Sequence, residues 1–256
     1  MANVLVCIKR VPDLGGEIRL SDDAMSIDTS YLGHTVSPHE ECAVELAIQI
    51  AKATGGEATV LSLGTSESLE QIRDAIAVGC TGATLIEAEA DRFGPADIAR
   101  EIAAVVGQHE QAGRAYDLIL LGNDAADTGD FQVGIRLAYD LGRPVVAGVS
   151  TAEVAGDRVV VKADSPDGTD VFEVEMPAVL TIMEGGVEPR YPSIPGRMKA
   201  KRAEVETISP STEPSGPGRV RLKLPPVQPS QVQILGEGPE AAAAVVDLFE
   251  RIGVTR

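Results

Sequence analysis

Short apolar runs rich in β-branched residues recur along the first 150 positions: VLVCI (Val4 to Ile8), ATVLSLG (Ala58 to Gly64), ATLIEA (Ala83 to Ala88), YDLILLG (Tyr116 to Gly122) and VVAGV (Val145 to Val149). Runs that lack polar alternation read as strands buried on both faces. Between them lie segments with helical spacing, such as ECAVELAIQIAKAT and SLEQIRDAIAVG, the first marked by an apolar face of Ala43, Leu46, Ala47 and Ile50. Strand and helix in alternation predict an α/β fold, an open and mostly parallel sheet with helices on both faces and right-handed crossovers.

Beyond residue 150 the period changes. EVAGDRVVVKAD and TDVFEVEM alternate apolar and polar positions around the turn Ser165 to Gly168, which predicts a hairpin at the edge or rim of the sheet. AVLTI (Ala178 to Ile182) returns to the buried pattern. From Glu184 to about Ser230 the chain is rich in Pro and Gly, and neither helical nor strand periodicity is visible. A segment of that length without elements is either disordered or docked on a partner. PEAAAAVVDLFERIGV then predicts a terminal helix stopped at Gly253. The expected division is an α/β domain over 1–183 and an arm with a terminal helix over 184–256.

Composition narrows the function. At 256 residues, 44% hydrophobic and 24% charged, the chain has enough material for a core without staples, which excludes the disordered, collagenous and membrane classes. Acidic side chains number 39 against 22 basic, a net charge of −17 that would repel a phosphate backbone, and with 3% aromatic residues and no Trp there is little on which bases could stack. Nucleic acid is therefore not the expected partner. Cys7, Cys42 and Cys80 have no companions at metal-ligand spacing, so three reduced thiols are expected, with neither a disulfide framework nor a metal site. The opening MANVLVCIKR lacks the basic-then-apolar pattern of a signal peptide, and no apolar run approaches the roughly 18 residues that span a bilayer. A soluble, cytoplasmic protein is the expectation, with no membrane insertion.

In open parallel sheets ligands bind beyond the carboxyl ends of the strands, so the loops there carry the candidate chemistry. Lys9 and Arg10 follow the first strand. Gly122-Asn123-Asp124-Ala125-Ala126-Asp127-Thr128-Gly129-Asp130-Phe131-Gln132-Val133-Gly134 follows the strand ending at Leu121 and runs into a helix near Gln132. Amides at such a helix start can hold a phosphate, or the Asp and Thr residues can simply cap the helix; three acids speak against a bare anion site. Ser37-Pro38-His39-Glu40 opens another helix, with Ser37 as its cap and Pro38 in its first turn. Gly64, Thr65 and Ser66 open the next. His34, His39 and His109 have no nucleophile motif beside them, and neither GxxxxGK[ST] nor GxGxxG occurs.

One stretch is unusual in so acidic a chain. VEPRYPSIPGRMKAKR carries Arg190, Arg197, Lys199, Lys201 and Arg202 with no acid between Arg190 and Arg202, around an isolated Ile194 flanked by Pro192 and Pro195. An exposed apolar residue on a proline-braced loop suits a protein contact, because little conformational freedom is lost on docking. The other reading is an Ile194 tucked into its own core.

The chain resembles the β subunit family of electron-transfer flavoproteins. The resemblance rests on VLVCIKRVPD, SPHEECAVELA, IRDAIAVG, DLILLGNDAADTGDFQVG, MPAVLTIMEGGVEPRYPSIPGRMKAKR and the terminal LKLPPVQPS with its helix, and EPRY…MKAKR is its most specific part. It implies an adenine-nucleotide-hydrolase-like α/β fold and a heterodimeric electron carrier, no enzyme in its own right, that takes electrons from flavin dehydrogenases to a quinone reductase or other acceptor. An α subunit would supply most of the FAD site and be wrapped by the C-terminal arm, while this chain would bury a structural AMP. Carried over by motif position, the AMP pocket comprises Cys7, Lys9, Ser37, Pro38, His39, Glu40, Leu63 and the loop from Gly122 through Val133. Tyr191, Ile194, Arg197, Lys199 and Lys201 would dock the dehydrogenase. The family's loop usually has Lys or Arg and then Gln after its Gly; here Asn123 and Asp124 stand there, so a cation expected near the phosphate is missing. Some relatives hold a second FAD in this place and bifurcate electrons, which is the alternative reading.

Overall fold

The computed structural model describes residues 1–13, 15, 18–226 and 232–254. The later part of the LKLPPVQPS motif lies outside these described residues. In chain order the elements are β1 (Val4–Ile8), β2 (Val11–Pro12), β3 (His34–Thr35), α1 (Pro38–Thr54), β4 (Ala58–Gly64), α2 (Leu69–Val78), β5 (Gly82–Glu87), α3 (Pro95–Gln111) and β6 (Leu118–Gly122). They continue with α4 (Val133–Leu141), β7 (Val145–Ala155), β8 (Arg158–Ser165), β9 (Gly168–Glu175), β10 (Ala178–Ile182), α5 (Ile194–Arg202), β11 (Glu206–Ile208) and α6 (Ala241–Ile252).

Among the described residues nine strands form one sheet in the order β11-β5-β4-β1-β6-β10-β7-β8-β9; it is parallel from β11 to β7 and antiparallel from there to β9. The central strands read as unbroken apolar runs because both faces are covered. Val4, Val6 and Ile8 of β1 join a core with Ala43, Leu46 and Ile50 of α1 and Ile72 of α2. Leu5 and Cys7 point the other way, to Ile102 and Val106 of α3 and Leu137 of α4. The period of two along one strand therefore feeds two separate cores. Three buried thiols are free.

The structure differs from the sequence reading in three places. EVAG belongs to β7, which turns at Gly156, where φ is +68°, so β7, β8 and β9 form a three-stranded meander rather than a single hairpin. The turn between Ser165 and Gly168 is where expected, and β9 is the sheet's edge. Between Glu184 and Ser230 the chain is not without elements: it forms α5 and β11. Periodicity misses α5 because its inward residues are Gly and Ala, and misses β11 because three residues are too few to show a period. The segment after residue 184 also packs on what precedes it. β11 pairs in parallel with β5, Ser211 and Thr212 donate to Glu101, and Ser215 and Gly216 donate to Asp97, both acids on α3.

By its contacts the chain forms two compact units, Met1–Leu222 and Lys223–Arg256. In the second, α6 ends at Gly253 in the left-handed conformation, the expected stop, and none of its residues is buried. Val246, Phe249 and Ile252, spaced by three, leave an uncovered apolar stripe. Among the described residues no helix is long and apolar enough to cross a membrane.

Candidate functional site

β4 and β5 lie on one side of β1, and the chain then crosses back to lay β6 on the other. Where strand order reverses, the loops leaving neighbouring strand ends diverge and open a crevice. A pocket fills it, walled by Cys7 and Lys9 at the end of β1, Leu61 and Leu63 of β4, the segment after Leu121, and Ile98 and Ile102 of α3.

Polar ties hold the crevice in shape. Ser37 caps α1: its Oγ accepts from the Glu40 amide and donates to the carbonyl of Asp124 (3.2 Å), fastening the start of α1 to the loop after β6. The two Glu40 oxygens accept from the backbone N–H of Lys9 (2.9 Å) and of Ser37 (3.1 Å). Gly122 permits this close approach, since a Cβ there would sit 2.7 Å from Glu40 Cγ. Burial pushes the Glu40 carboxyl up to about 8 even though the Ser37 and Lys9 amides favour its charged form. Burial likewise pushes the Cys7 thiol up, with Glu40 adding to the effect, so Cys7 packs as a small apolar group and is no nucleophile.

Among the residues singled out from sequence, Cys7, Lys9, Glu40, Leu63, Gly122 to Ala125, Thr128 and Asp130 to Val133 line the one pocket. Ser37, Pro38, His39, Ala126, Asp127 and Gly129 do not, though several shape it. His39 Nδ1 donates to the carbonyl of Ile182 (3.3 Å), and Asp127 Oδ1 takes the Lys9 ammonium at 2.8 Å. A cation therefore does reach the loop, from the end of the neighbouring strand β1, but it is committed to an acid. Asn123 lines the pocket, but its Oδ1 is already engaged: it accepts from Thr181 Oγ1 (2.6 Å) and from the Gly148 N–H (3.1 Å), which the irregular register of β7 against β10 leaves without a ladder partner. Asp124 Oδ1 is shielded from solvent and has no hydrogen-bond partner among the described residues. Gly129 and Phe131 both adopt positive φ (+60° and +52°), so the loop doubles back before α4 begins; in a non-glycine residue this costs about 1 kcal/mol or more.

Sequence reasoning missed Ile98, Ile102 and Thr181 as site residues, and had Gly134 as the end of the candidate loop but not in the nucleotide set. Ile98 and Ile102 are spaced by four on a helix of the opposite layer, a pattern identical to ordinary core packing. Gly134 lies against β10, where a Cβ would come within 2.3 Å of Thr181 Cγ2. The pocket offers an aliphatic slot, acceptors at Asp124 and Asp130, and the first-turn amides of α4, which have no intrahelical acceptor.

The second candidate region is α5. Ser193 Oγ accepts from the Gly196 amide and caps the helix, and Pro195 occupies its first turn, so the residues read as a loop are helical from Ile194. Ile194 and Met198, spaced by four, are 78% and 57% exposed, while Ala200 is 3% exposed and a Cβ on Gly196 would lie 2.2 Å from the carbonyl of Ala77 on α2. The small residues face the protein and the large apolar ones face out. Tyr191 (95%), Arg197, Lys199 and Lys201 are exposed beside them.

The electron transfer flavoprotein domain model matches residues 24–213. The chain is 34% identical over 243 residues to the electron transfer flavoprotein subunit beta of Syntrophomonas wolfei, covering 94% of this chain and 92% of that one. It is 31% identical over 254 residues to the Bacillus subtilis subunit beta, covering 96% and 97%. With the human subunit beta it shares 34% over 211 residues, 81% of each. Residues 24–213 take in the loop after β6 and α5, and the chain belongs to the electron transfer flavoprotein family, among relatives that are its β subunits.

Proposed function

We propose that this chain is the β half of a heterodimeric electron carrier that takes electrons from flavin dehydrogenases and hands them to a quinone reductase or another acceptor. The family's role is electron transfer, and the chain is a carrier subunit rather than an enzyme. What supports the docking part of the reading is α5, whose large apolar residues face solvent while Gly196 and Ala200 face the fold. A helix kept that way round gains little from its own core and presents an apolar anchor ringed by cations, the composition of a contact centre with a charged rim. The uncovered stripe of α6 suits an α subunit as its cover.

In this reading the α subunit holds most of the FAD and this chain forms one wall of the site. The flavin, when bound, supplies one- and two-electron transfer; the residues here position, exclude water and dock. The crevice fits an adenine nucleotide in chemistry. Leu61, Leu63, Ile98 and Ile102 would flank a flat apolar group, Asp124 Oδ1 is an acceptor in need of a donor, and the α4 amides suit a phosphate. Asn123 and Asp124 bring no cation, so AMP would bind less tightly than to a loop with Lys or Arg, by about 1 kcal/mol.

Ile194→Ala in the heterodimer tests the docking reading: flavin content and thermal midpoint should hold while reduction by the dehydrogenase drops sharply. Unchanged rates would overturn it. Ligands released by acid from the heterodimer should be one FAD and one AMP; two FAD and no AMP would replace the carrier with an electron-bifurcating component. The single chain, purified without an α subunit, should be colourless.

A further inference from the structure

α5 follows an irregular stretch after β10 and is presented by ties that reach it from two other helices. From α1, Cys42 Sγ donates to the carbonyl of Val187 (3.4 Å), and one turn later Glu45 takes Arg190 by three bonds: from Nε at 2.6 Å, Nη2 at 2.7 Å and the backbone N–H at 3.3 Å. Glu45 is only 4% exposed, and its Oε1 also accepts from Gln49 Nε2 (2.7 Å). The hydrogen bonds from Arg190 hold its carboxyl below the usual range, and Glu45 raises the guanidinium in turn. From α2, Arg73 Nη1 donates to the carbonyl of Ala200 (2.6 Å), and four residues on the carbonyl of Ala77 abuts Gly196.

A guanidinium held in two-point contact with a carboxylate is fixed in angle as well as in distance, which an ammonium cannot match. The Glu45–Arg190 pair lies four residues before Ile194, on the only covalent approach to α5 from β10. Glu45 itself lies under the segment and does not share the outward face of α5.

We propose that Glu45, through Arg190, is a positioning residue for electron transfer: it sets the attitude of α5, so that Ile194 and Met198 seat the partner at the right distance and angle. The inference rests on the docking reading above. An anchor attached to an unbraced segment still finds its groove but holds the complex in a range of orientations, and misplacement by about 1 Å can cost up to about a hundredfold in rate. The two residues therefore act on different quantities: Ile194 on association, Glu45 and Arg190 on the rate within the complex.

The test uses the αβ heterodimer carrying Arg190→Lys, with Glu45→Gln as a second variant should the first fail to assemble. The donor is a flavin dehydrogenase that reduces the wild-type heterodimer, and reduced FMN serves as a small donor that needs no docking. Arg190→Lys should lower the saturating rate with the dehydrogenase about tenfold, leave reduction by FMN within twofold, and speed hydrogen exchange over 188–196. Ile194→Ala should chiefly raise the apparent KM. Faster exchange with an unchanged saturating rate would overturn the positioning role. So would equal losses with both donors, or loss of flavin, since those mark a merely structural pair. If Ile194→Ala leaves every rate unchanged while Arg190→Lys slows the dehydrogenase alone, docking at Ile194 falls and positioning of the segment stands.

Discussion

In β1 and β6 every apolar side chain is turned into one of two cores, and the polar groups at their ends are fastened to one another. In α5 the order is reversed, with Gly196 and Ala200 inward and Ile194 and Met198 outward. Both regions rely on buried carboxylates as fasteners, Glu40 in the first and Glu45 in the second. The electrostatics differ. Glu40 meets two amides and a distant ammonium, and burial wins, so its carboxyl rises; Glu45 meets a guanidinium directly and its carboxyl falls. The comparison teaches that the crevice is held by burial with polar ties trimming its shape, whereas α5 is held by polar ties with hardly any burial of its own.

The largest effect that could break this contrast is a matched pair of truncations. Leu120→Ala, fully buried in β6, should lose about 2–5 kcal/mol, and Ile194→Ala should stay within about 0.5 kcal/mol, read from denaturant unfolding of the heterodimer. Comparable losses would mean that α5 has a core after all.

Glu40 provides a sharper instrument through pH. Its folded-state value near 8 lies above the ordinary 4.5, so between those values the folded chain keeps a proton that the unfolded chain has released. Stability should therefore fall as pH rises through that window, by a few kcal/mol in all, and level off above it. Glu40→Gln should flatten the slope of thermal midpoint against pH between 5 and 8; an unaltered slope would show that Glu40 is charged when folded.

Asp97 extends the comparison to a second segment held by polar ties. Burial pushes its carboxyl up, but the Ser215 and Gly94 amides, Ser215 Oγ and the Gly216 amide more than offset this and hold it at about 2. The stability it confers is present above the ordinary carboxylate range and lost as pH falls toward 2, about 2 kcal/mol in total. Asp97→Asn should cost about 1–3 kcal/mol at pH 7 and free the strap over 211–216 to protease. Protection of that strap in the variant would show that burial, not the carboxylate, holds it.

The smallest effect is a control on ties that lack burial. Arg158 meets Glu175 at 3.3 Å and Glu173 at 3.6 Å on the exposed edge of the sheet. Arg158→Ala should change stability by no more than about 0.5 kcal/mol, and addition of salt should erase even that.

The sequence by itself determined the layered sheet, because strands covered on both faces must be continuous apolar runs and β1, β4, β5, β6 and β10 are written that way. It determined the loop after Leu121 as a candidate site, since Gly and small polar residues before a helix start are legible locally, and it singled out the odd basic stretch around Ile194. It could not reveal α5 as a helix, because a helix whose inward residues are Gly196 and Ala200 has no apolar period to read. Only the tertiary structure decided which residues meet in the crevice: Lys9 reaches Asp127 across 118 positions, and Ile98 and Ile102 enter from the opposite layer. It alone decided the roles of Asn123, whose Oδ1 is committed to Thr181 and the Gly148 amide, and of Glu45, one acid among 39 until folding puts Arg190 beside it. The physical reason is one of range: burial patterns are written along the chain, while a fastener is defined by a partner that the chain brings close only after the layers have packed.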